Sequence, residues 1–374
     1  MAPTPLSRRV ILRATGLAAL GAGLSACAGK RAASLVWPEP PRRLARVHVA
    51  EDRVIRSVVG LRPYRASGFL VRVDKLGDTT VVHNYGHGGG GITLSWGTSE
   101  LAVEEAWKTG EWRFAVLGCG AVGLATARLL QQRGAEVTIY AKDLPPQTTS
   151  NIAGGQWSPT SIMNDDRRTP ESDALLARAA RLSHRRYQQL PAAEFGIRWL
   201  ENYVLSEEPL RPWWEQELIR DLYPESRELR RDEHPFTSRY VRRFTTMLIE
   251  PPIYLSAMLR EVRLGGARVV VRELASPDEV RALPERVVVN CTGLGARALF
   301  GDEELEPVKG QLTVLLPQPE VDYITLGEGL YMIPRRDGVL LGGTFEHGNW
   351  SMDVDETARQ RIMTGQRALF EGMS

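Results

Sequence analysis

RFAVLGCGAVGLATARLLQQRGAEVTIY, Arg113 to Tyr140, is the stretch from which the fold of this chain can be read. Arg113 to Leu117 is an almost wholly apolar run, the pattern of a strand buried on both faces of a parallel sheet. Three glycines follow at the spacing Gly-x-Gly-x-x-Gly. Gly118 permits a tight turn, Gly120 lets the backbone approach a pyrophosphate, and Gly123 lets helix and strand pack closely. Leu124 to Arg133 reads as a helix and Glu136 to Tyr140 as the next strand, so the stretch is a βαβ unit that binds a dinucleotide. The N–H groups around Ala121 and Val122, at the helix start, carry partial positive charge toward a phosphate. The acidic residue that usually ends the second strand is replaced by Ala141. Asp143 is the better candidate for the ribose, with Lys142 near phosphate; the competing reading is an exposed loop pair.

Further along, VVVNCTGLGAR, Val287 to Arg297, is a second buried strand running into a turn at Thr292 and Gly293. Two-lobed flavoproteins return to their cofactor through such a strand and turn, so this feature points to FAD rather than a nicotinamide. Upstream, Arg53 to Gly60, Phe69 to Asp74 and Thr79 to His83 read as strands, and Ser99 to Lys108 as a helix capped by Ser99. Pro170 to Arg243 reads as polar helices rich in Arg, Glu and Trp. Leu312 to Leu316, Leu330 to Pro334 and Val339 to Gly343 read as strands of an antiparallel sheet, and a helix from Asp355 to Glu371 follows.

The chain has 374 residues, enough for two domains, with 43% hydrophobic and 25% charged residues. Its 47 basic and 45 acidic residues leave a net charge of +2, which offers no electrostatic footprint for nucleic acid. Ser7-Arg8-Arg9-Val10-Ile11-Leu12 resembles a twin-arginine export signal, and the apolar stretch after it is too short for a spanning helix. Leu24-Ser25-Ala26-Cys27 resembles a lipobox, which implies a lipidated Cys27 and attachment to a membrane outside the cytoplasm. The rival reading is ordinary cleavage after Ala26 or Ala28. Twin-arginine export carries folded proteins, which favours a cofactor acquired beforehand. Besides Cys27 there are only Cys119 and Cys291, so a disulfide framework is not expected.

The motifs together resemble the D-amino-acid oxidase family of FAD enzymes. They are GCGAVGLATARLL, TTSNIAGGQWSP (Thr148 to Pro159), NCTGLGARALFGD, EPVKGQ (Glu306 to Gln311), YMIPR (Tyr331 to Arg335) and LGGTFEHGNW (Leu341 to Trp350). GLRPYR (Gly60 to Arg65) and HNYGHGGGG (His83 to Gly91) close the family's usual order, whereas here they open it. The resemblance therefore implies a circular permutation, with Thr109-Gly110-Glu111 as the new junction. It also implies an α/β, two-lobed flavoprotein with a Rossmann-like FAD-binding domain and an α+β substrate domain built on an antiparallel sheet. The expected bounds are 1–27 for the export signal, 28–46 for a tether, 47–165 and 247–312 for the FAD-binding domain, and 166–246 and 313–374 for the substrate domain.

The activity implied is oxidative deamination of D-amino acids to 2-oxo acids, ammonia and hydrogen peroxide, with an amino acid and dioxygen as partners. Alternatives are a related amine acid (D-aspartate, glycine, an N-methyl amino acid), a membrane electron acceptor in place of dioxygen, or a flavin-binding protein without turnover. A carboxylate is best held by a planar guanidinium; by resemblance that is Arg62, with the Tyr331 hydroxyl beside it. HNYGHGGGG packs five glycines into nine residues, so backbone approaches a ligand without a Cβ in the way. By resemblance the Gly89 carbonyl accepts from the substrate amine, and Gly88, Gly91, Ile92 and Thr93 line the flavin. Thr148, Thr149, Gly154, Gly155 and Gln156 join the cofactor side in the same way. His83 and His87 sit on a glycine loop without a carboxylate or cysteine partner in sequence, and no metal site is expected. Some family members carry a lid with a second tyrosine just before the YMIPR equivalent. The short Asp322 to Gly329 segment leaves no room for one here, which implies a more open site and larger substrates.

Overall fold

The computed structural model describes residues 43–374, apart from Pro212 and Pro224. The expected export signal, Cys27 and nearly all of the tether lie outside those residues. Fifteen described strands, numbered in chain order, divide between two sheets. The smaller runs β2 (Leu70–Leu76), β3 (Thr79–Tyr85), β10 (Val287–Asn290), β4 (Arg113–Leu117), β5 (Glu136–Ala141) and β9 (Arg268–Val271). It is parallel except for β2, which is antiparallel to β3. The larger runs β1 (Val54–Arg65), β11 (Leu305–Leu315), β14 (Gly338–Gly342), β13 (Leu330–Arg335), β12 (Tyr323–Gly327), β6 (Ile197–Ser206), β8 (Tyr240–Ile249) and β7 (Arg227–Leu229), with β15 (Glu346–His347) also on β11. This is the α/β architecture expected, except that the larger sheet is mixed and not wholly antiparallel, β12 running parallel to β6.

Register in the smaller sheet brings three loops together. Asn290 at the end of β10 pairs with His83 of β3 on one side and Leu117 of β4 on the other. The carboxyl ends of these three parallel strands are therefore adjacent, and each runs into glycines: Gly86 to Gly91, Gly293 and Gly295, and Gly118 to Gly123. Ligands of open parallel sheets bind at that edge. The strand interiors are apolar and fully buried, as at Phe114, Ala115, Val116 and Val287 to Val289.

The five longer helices among the described residues are α1 (Gly91–Trp107), α2 (Ala121–Gln132), α3 (Pro170–Gln189), α4 (Pro251–Leu264) and α5 (Glu356–Glu371). The first begins at Gly91, well before the expected start at Ser99. Ser99 is no cap: it is buried, donates to the Val122 carbonyl at 3.1 Å and accepts from Thr126 Oγ1 at 2.8 Å, tying α1 to α2. Glycine-rich sequence hides a helix start from propensity, because its stability comes from packing. A Cβ on Gly97 would overlap the backbone of Ala179, so α1 and α3 meet at closest approach there.

Three expectations are corrected by the sheets. Val54–Arg65, placed with the FAD-binding lobe, is the edge strand of the larger sheet and pairs with β11 along its length. Pro170–Gln189, placed with the substrate lobe, packs against α1 instead. Among the described residues within Pro170 to Arg243 only α3 is a long helix, since β6 and β8 pair over ten positions. Their polar composition reflects ionic partners around the sheet, Arg243 with Glu201 at 3.0 Å and Arg242 with Glu228 at 3.2 Å, which a linear reading takes for a solvated helix face.

The two faces of the larger sheet differ. One packs Tyr323, Met332 and Leu341 under α5 and the segment of Val47 and Val49. The other carries Leu200, Leu312, Ile324, Ile333 and Leu340, with Tyr331 at its margin.

Candidate active site

The dinucleotide loop has the geometry its glycines require. Gly118 adopts φ +100°, and a Cβ there would fall 2.5 Å from the Cys291 carbonyl oxygen. A Cβ on Gly123 would overlap the Gly118 carbonyl, so helix α2 leaves the strand without clearance for a side chain. At Gly120 a Cβ would stand 3.0 Å from Ser150 Oγ, which also accepts the Ala121 N–H at 3.1 Å. Of the TTSN segment, Ser150 is thus the residue that touches the loop, while Thr148 is buried against Asn151 and Thr149 is exposed. Sequence reasoning passed over Ser150. Val122 is half-buried, and its carbonyl is the acceptor for Ser99.

Beyond β5, Lys142 and Asp143 are both exposed, and Lys142 lies 3.7 Å from Glu273. Thr292 donates from both N–H and Oγ1 to Asn290 Oδ1, at 3.2 and 2.7 Å, and Gly293 turns at φ +57°. On the facing segment, Gly155 takes φ +94° and accepts from the Ile249 N–H at 2.8 Å, and a Cβ on Gly154 would meet Ile333. Gln156 donates to Asn202 at 2.7 Å.

The loop after β3 lies against residues 158–162. Gly88 takes φ +53° with no room for a Cβ beside the Ser161 carbonyl, and the Gly89 N–H donates to that same oxygen at 3.1 Å. Gly89 is exposed while Gly86, Gly88 and Gly90 are buried, so it is the point where this backbone faces outward. Gly91 opens α1; Ile92 and Thr93 are buried behind it, Thr93 exchanging hydrogen bonds with Ser158 at 3.1 Å. His87 stacks on Phe69 and its Nε2 lies 2.8 Å from Thr98 Oγ1, with burial pushing the imidazole down to about 3. His83 is held by Asp74 and Asn290, both at 3.1 Å.

β1 ties this loop to the larger sheet. Tyr64 bridges to His87 and lies against Gly88, and two residues earlier stands Arg62. The Arg62 side chain reaches over Gly310 of β11, and Tyr331 of β13 reaches over Gly342 of β14. The Arg62 guanidinium neighbours the Tyr331 hydroxyl: burial pushes that hydroxyl up and the guanidinium pulls it back. The Phe345 ring centre lies 5.4 Å from the guanidinium carbon. Nη1 of Arg62 is buried without a hydrogen-bond partner among the described residues. A buried donor left unmatched costs about 1–3 kcal/mol, more when charged, so this position calls for an anion. Along the chain Phe345, Gly310 and Gly342 are only parts of longer motifs. Their roles depend on cross-strand neighbours, for which a single chain carries no signal.

The connection before Tyr331 is short. β12 and β13 are joined by Glu328 and Gly329 alone, both at positive φ (51° and 69°), as in a type I′ hairpin. Tyr323 lies on the opposite face from Tyr331 and donates to the Ala45 carbonyl at 2.6 Å. A separate cavity of about 340 Å³ lies on the outer side of β2 and β3 among Arg65, Arg72, Asp74, His83, Tyr85 and Asp302. Its polar groups satisfy one another, as in Arg65 with Asp302 at 2.9 Å, and it has no part in the Arg62 site.

The residues at the strand ends fit FAD: two glycine turns without room for a side chain, a helix N-terminus, and a third loop whose backbone faces outward. Residues 113–373 match the FAD dependent oxidoreductase family (DAO). The chain is 32% identical to the D-amino-acid oxidase of Rubrobacter xylanophilus over 265 residues, covering 69% of this chain and 77% of that protein. It is 33% identical to the D-amino-acid oxidase of Streptomyces coelicolor (68% and 76% covered) and 29% identical to human D-aspartate oxidase (67% and 74% covered). Among solved structures, the glycine oxidase of Geobacillus kaustophilus superposes with a TM-score of 0.53 at 18% identity, covering 71% of this chain and 80% of that one. With the glycine turns, the sheet order and these similarities in agreement, the chain belongs to the FAD dependent oxidoreductase family, and its cofactor is FAD.

Proposed function

We propose that this protein oxidatively deaminates D-amino acids, forming 2-oxo acids, ammonia and hydrogen peroxide. The observation that carries the reading is the buried, unpartnered Nη1 of Arg62 beside the Tyr331 hydroxyl. A guanidinium and a neutral phenol side by side are matched to an α-carboxylate. FAD, held by the glycine loops at the strand ends, would supply the hydride acceptor for the substrate Cα and the route for electrons to dioxygen. The protein's own part is positioning: Arg62 and Tyr331 hold the carboxylate, and the exposed Gly89 offers its carbonyl to the amine. Three fixed points set which face of Cα is presented, and a neutral amine aligned in this way can lose hydride without a general base. Burial keeps Tyr331 protonated and hence a donor at neutral pH.

The short β12–β13 hairpin supports large substrates over small ones. Arg242, in register with Tyr331 across β12 and β6, is engaged by Glu228 and the Leu210 carbonyl at 3.2 and 3.1 Å and so is not free for an acidic side chain. The test is anaerobic bleaching of the purified flavoprotein with D- and L-amino acid panels, followed by peroxide yield per 2-oxo acid in air. Bleaching by no D-amino acid sinks the reading; imine formed without peroxide moves it to a different electron acceptor.

Two further readings belong with it. The motif order is a circular permutation, supported by β3 lying beside β10 and by Arg46 contacting the Met373 carbonyl, which makes the flanks of the expected cut neighbours. Export and lipidation at Cys27 would place the activity outside the cytoplasm, where it meets D-amino acids of the cell wall.

A further inference from the structure

We propose that Gly310 and Gly342 are positioning residues, each clearing the space on the sheet in which one carboxylate-binding side chain lies down. The proposal rests on the carboxylate-binding reading of Arg62 and Tyr331. Side chains on strands ordinarily stand roughly perpendicular to the sheet. Arg62 instead crosses to the neighbouring strand: a Cβ on Gly310 would fall 2.5 Å from both Nη1 and Nη2 and 2.7 Å from Cζ. Gly342 pairs directly with Tyr331, and its Cβ would overlap the hydroxyl end of that ring. In both cases the three nearest atoms belong to the functional side chain alone.

Neither glycine is at positive φ, so backbone conformation does not demand glycine at either place. The requirement is for room. β11 and β14 are neighbours with Leu312 opposite Gly342, so the two clearings adjoin on one face. Together they form a shallow floor holding two donors low, with the Phe345 ring beside the guanidinium. A methyl at Gly310 meets the flexible end of an arginine, not backbone. Gly310→Ala therefore folds, with the guanidinium displaced from its site.

The experiment uses the FAD-loaded protein and propionate, which is alanine without its amine, titrated by isothermal calorimetry. Gly310→Ala is expected to raise the Kd of propionate and the KM for D-alanine at least tenfold, with kcat changed much less and the melting temperature within a few degrees of wild type. Placed in an Arg62→Ala background, Gly310→Ala is expected to change the propionate Kd by less than twofold. Gly342→Ala follows the same pattern against Tyr331→Ala. Propionate bound equally by wild type and Gly310→Ala overturns the proposal, as does full additivity in the cycle. If Gly310→Ala alone fails to fold, recovery in the Arg62→Ala background supports the proposal and continued failure overturns it. A wild type that no D-amino acid bleaches defeats the activity reading, while the propionate cycle still decides this one.

Discussion

Arg62 and Tyr331 meet on one face of the larger sheet, reaching toward each other across β11 and β14. Arg62→Lys tests whether planarity matters there or only charge. Lysine keeps the cation but loses the fork, and hydrogen bonds to charged groups contribute about 1.5–3 kcal/mol. The expected result is a 10- to 100-fold fall in kcat/KM for D-amino acids with flavin content unchanged. Full activity in the lysine variant would remove Arg62 from the carboxylate site.

Tyr331→Phe leaves the ring over Gly342 and removes only the hydroxyl. KM is expected to rise about tenfold, the size of one lost hydrogen bond to a carboxylate. Arg62 keeps its place, so the variant remains active; complete inactivity would point to a role beyond binding.

His87 makes the glycine loop acid-sensitive. Its imidazole is held neutral in the fold down to about 3, against an ordinary value of 6.5, because it is desolvated. As pH falls below 6.5 the unfolded chain binds a proton that the folded chain refuses. Stability is then lost at up to about 1.4 kcal/mol per pH unit over that window. Melting temperatures between pH 7 and 4 are expected to fall less steeply in His87→Gln than in wild type. Equal slopes would mean that the buried imidazole does not control this loop.

Gly97→Ala places a methyl into the backbone of Ala179, where α1 meets α3. Overpacking of this kind costs about 1–3 kcal/mol. Since α1 begins at the glycine loop, weaker FAD retention on gel filtration is expected alongside a lower melting temperature. Unchanged melting would show that the two helices separate freely.

Starting the chain at Glu111 and joining Ser374 to Arg46 through a short glycine-serine linker restores the usual motif order. Folding with the same flavin spectrum is the expected outcome, because Arg46 already contacts the Met373 carbonyl. An insoluble or FAD-free product would count against the permutation.

The glycine turns were legible because their cause is local. Gly118, Gly88 and Gly155 occupy positive φ with backbone oxygens where a Cβ would be, and no other residue fits. The strands around them were legible for a related reason, since β4 and β10 are buried on both faces and carry unbroken apolar runs. Helix α1 was half legible: its glycines lower propensity, and contacts with α2 and α3 supply the compensation. β6 and β8 were read as helical because Arg243 and Glu201 neutralise each other across strands, a relation invisible along the chain.

What the sequence by itself determined is the chemistry available: a dinucleotide fold, three glycine loops, an arginine, a tyrosine and a short connection before that tyrosine. These follow from backbone sterics and short-range pattern, which act within a few residues. Only the tertiary structure decided that the three loops share one edge, that Ser150 and not Thr149 meets the dinucleotide turn, and that Arg62 and Tyr331 lie over Gly310 and Gly342. Those are matters of register between strands distant in the chain, and register is set by burial of whole faces at once rather than by any one segment.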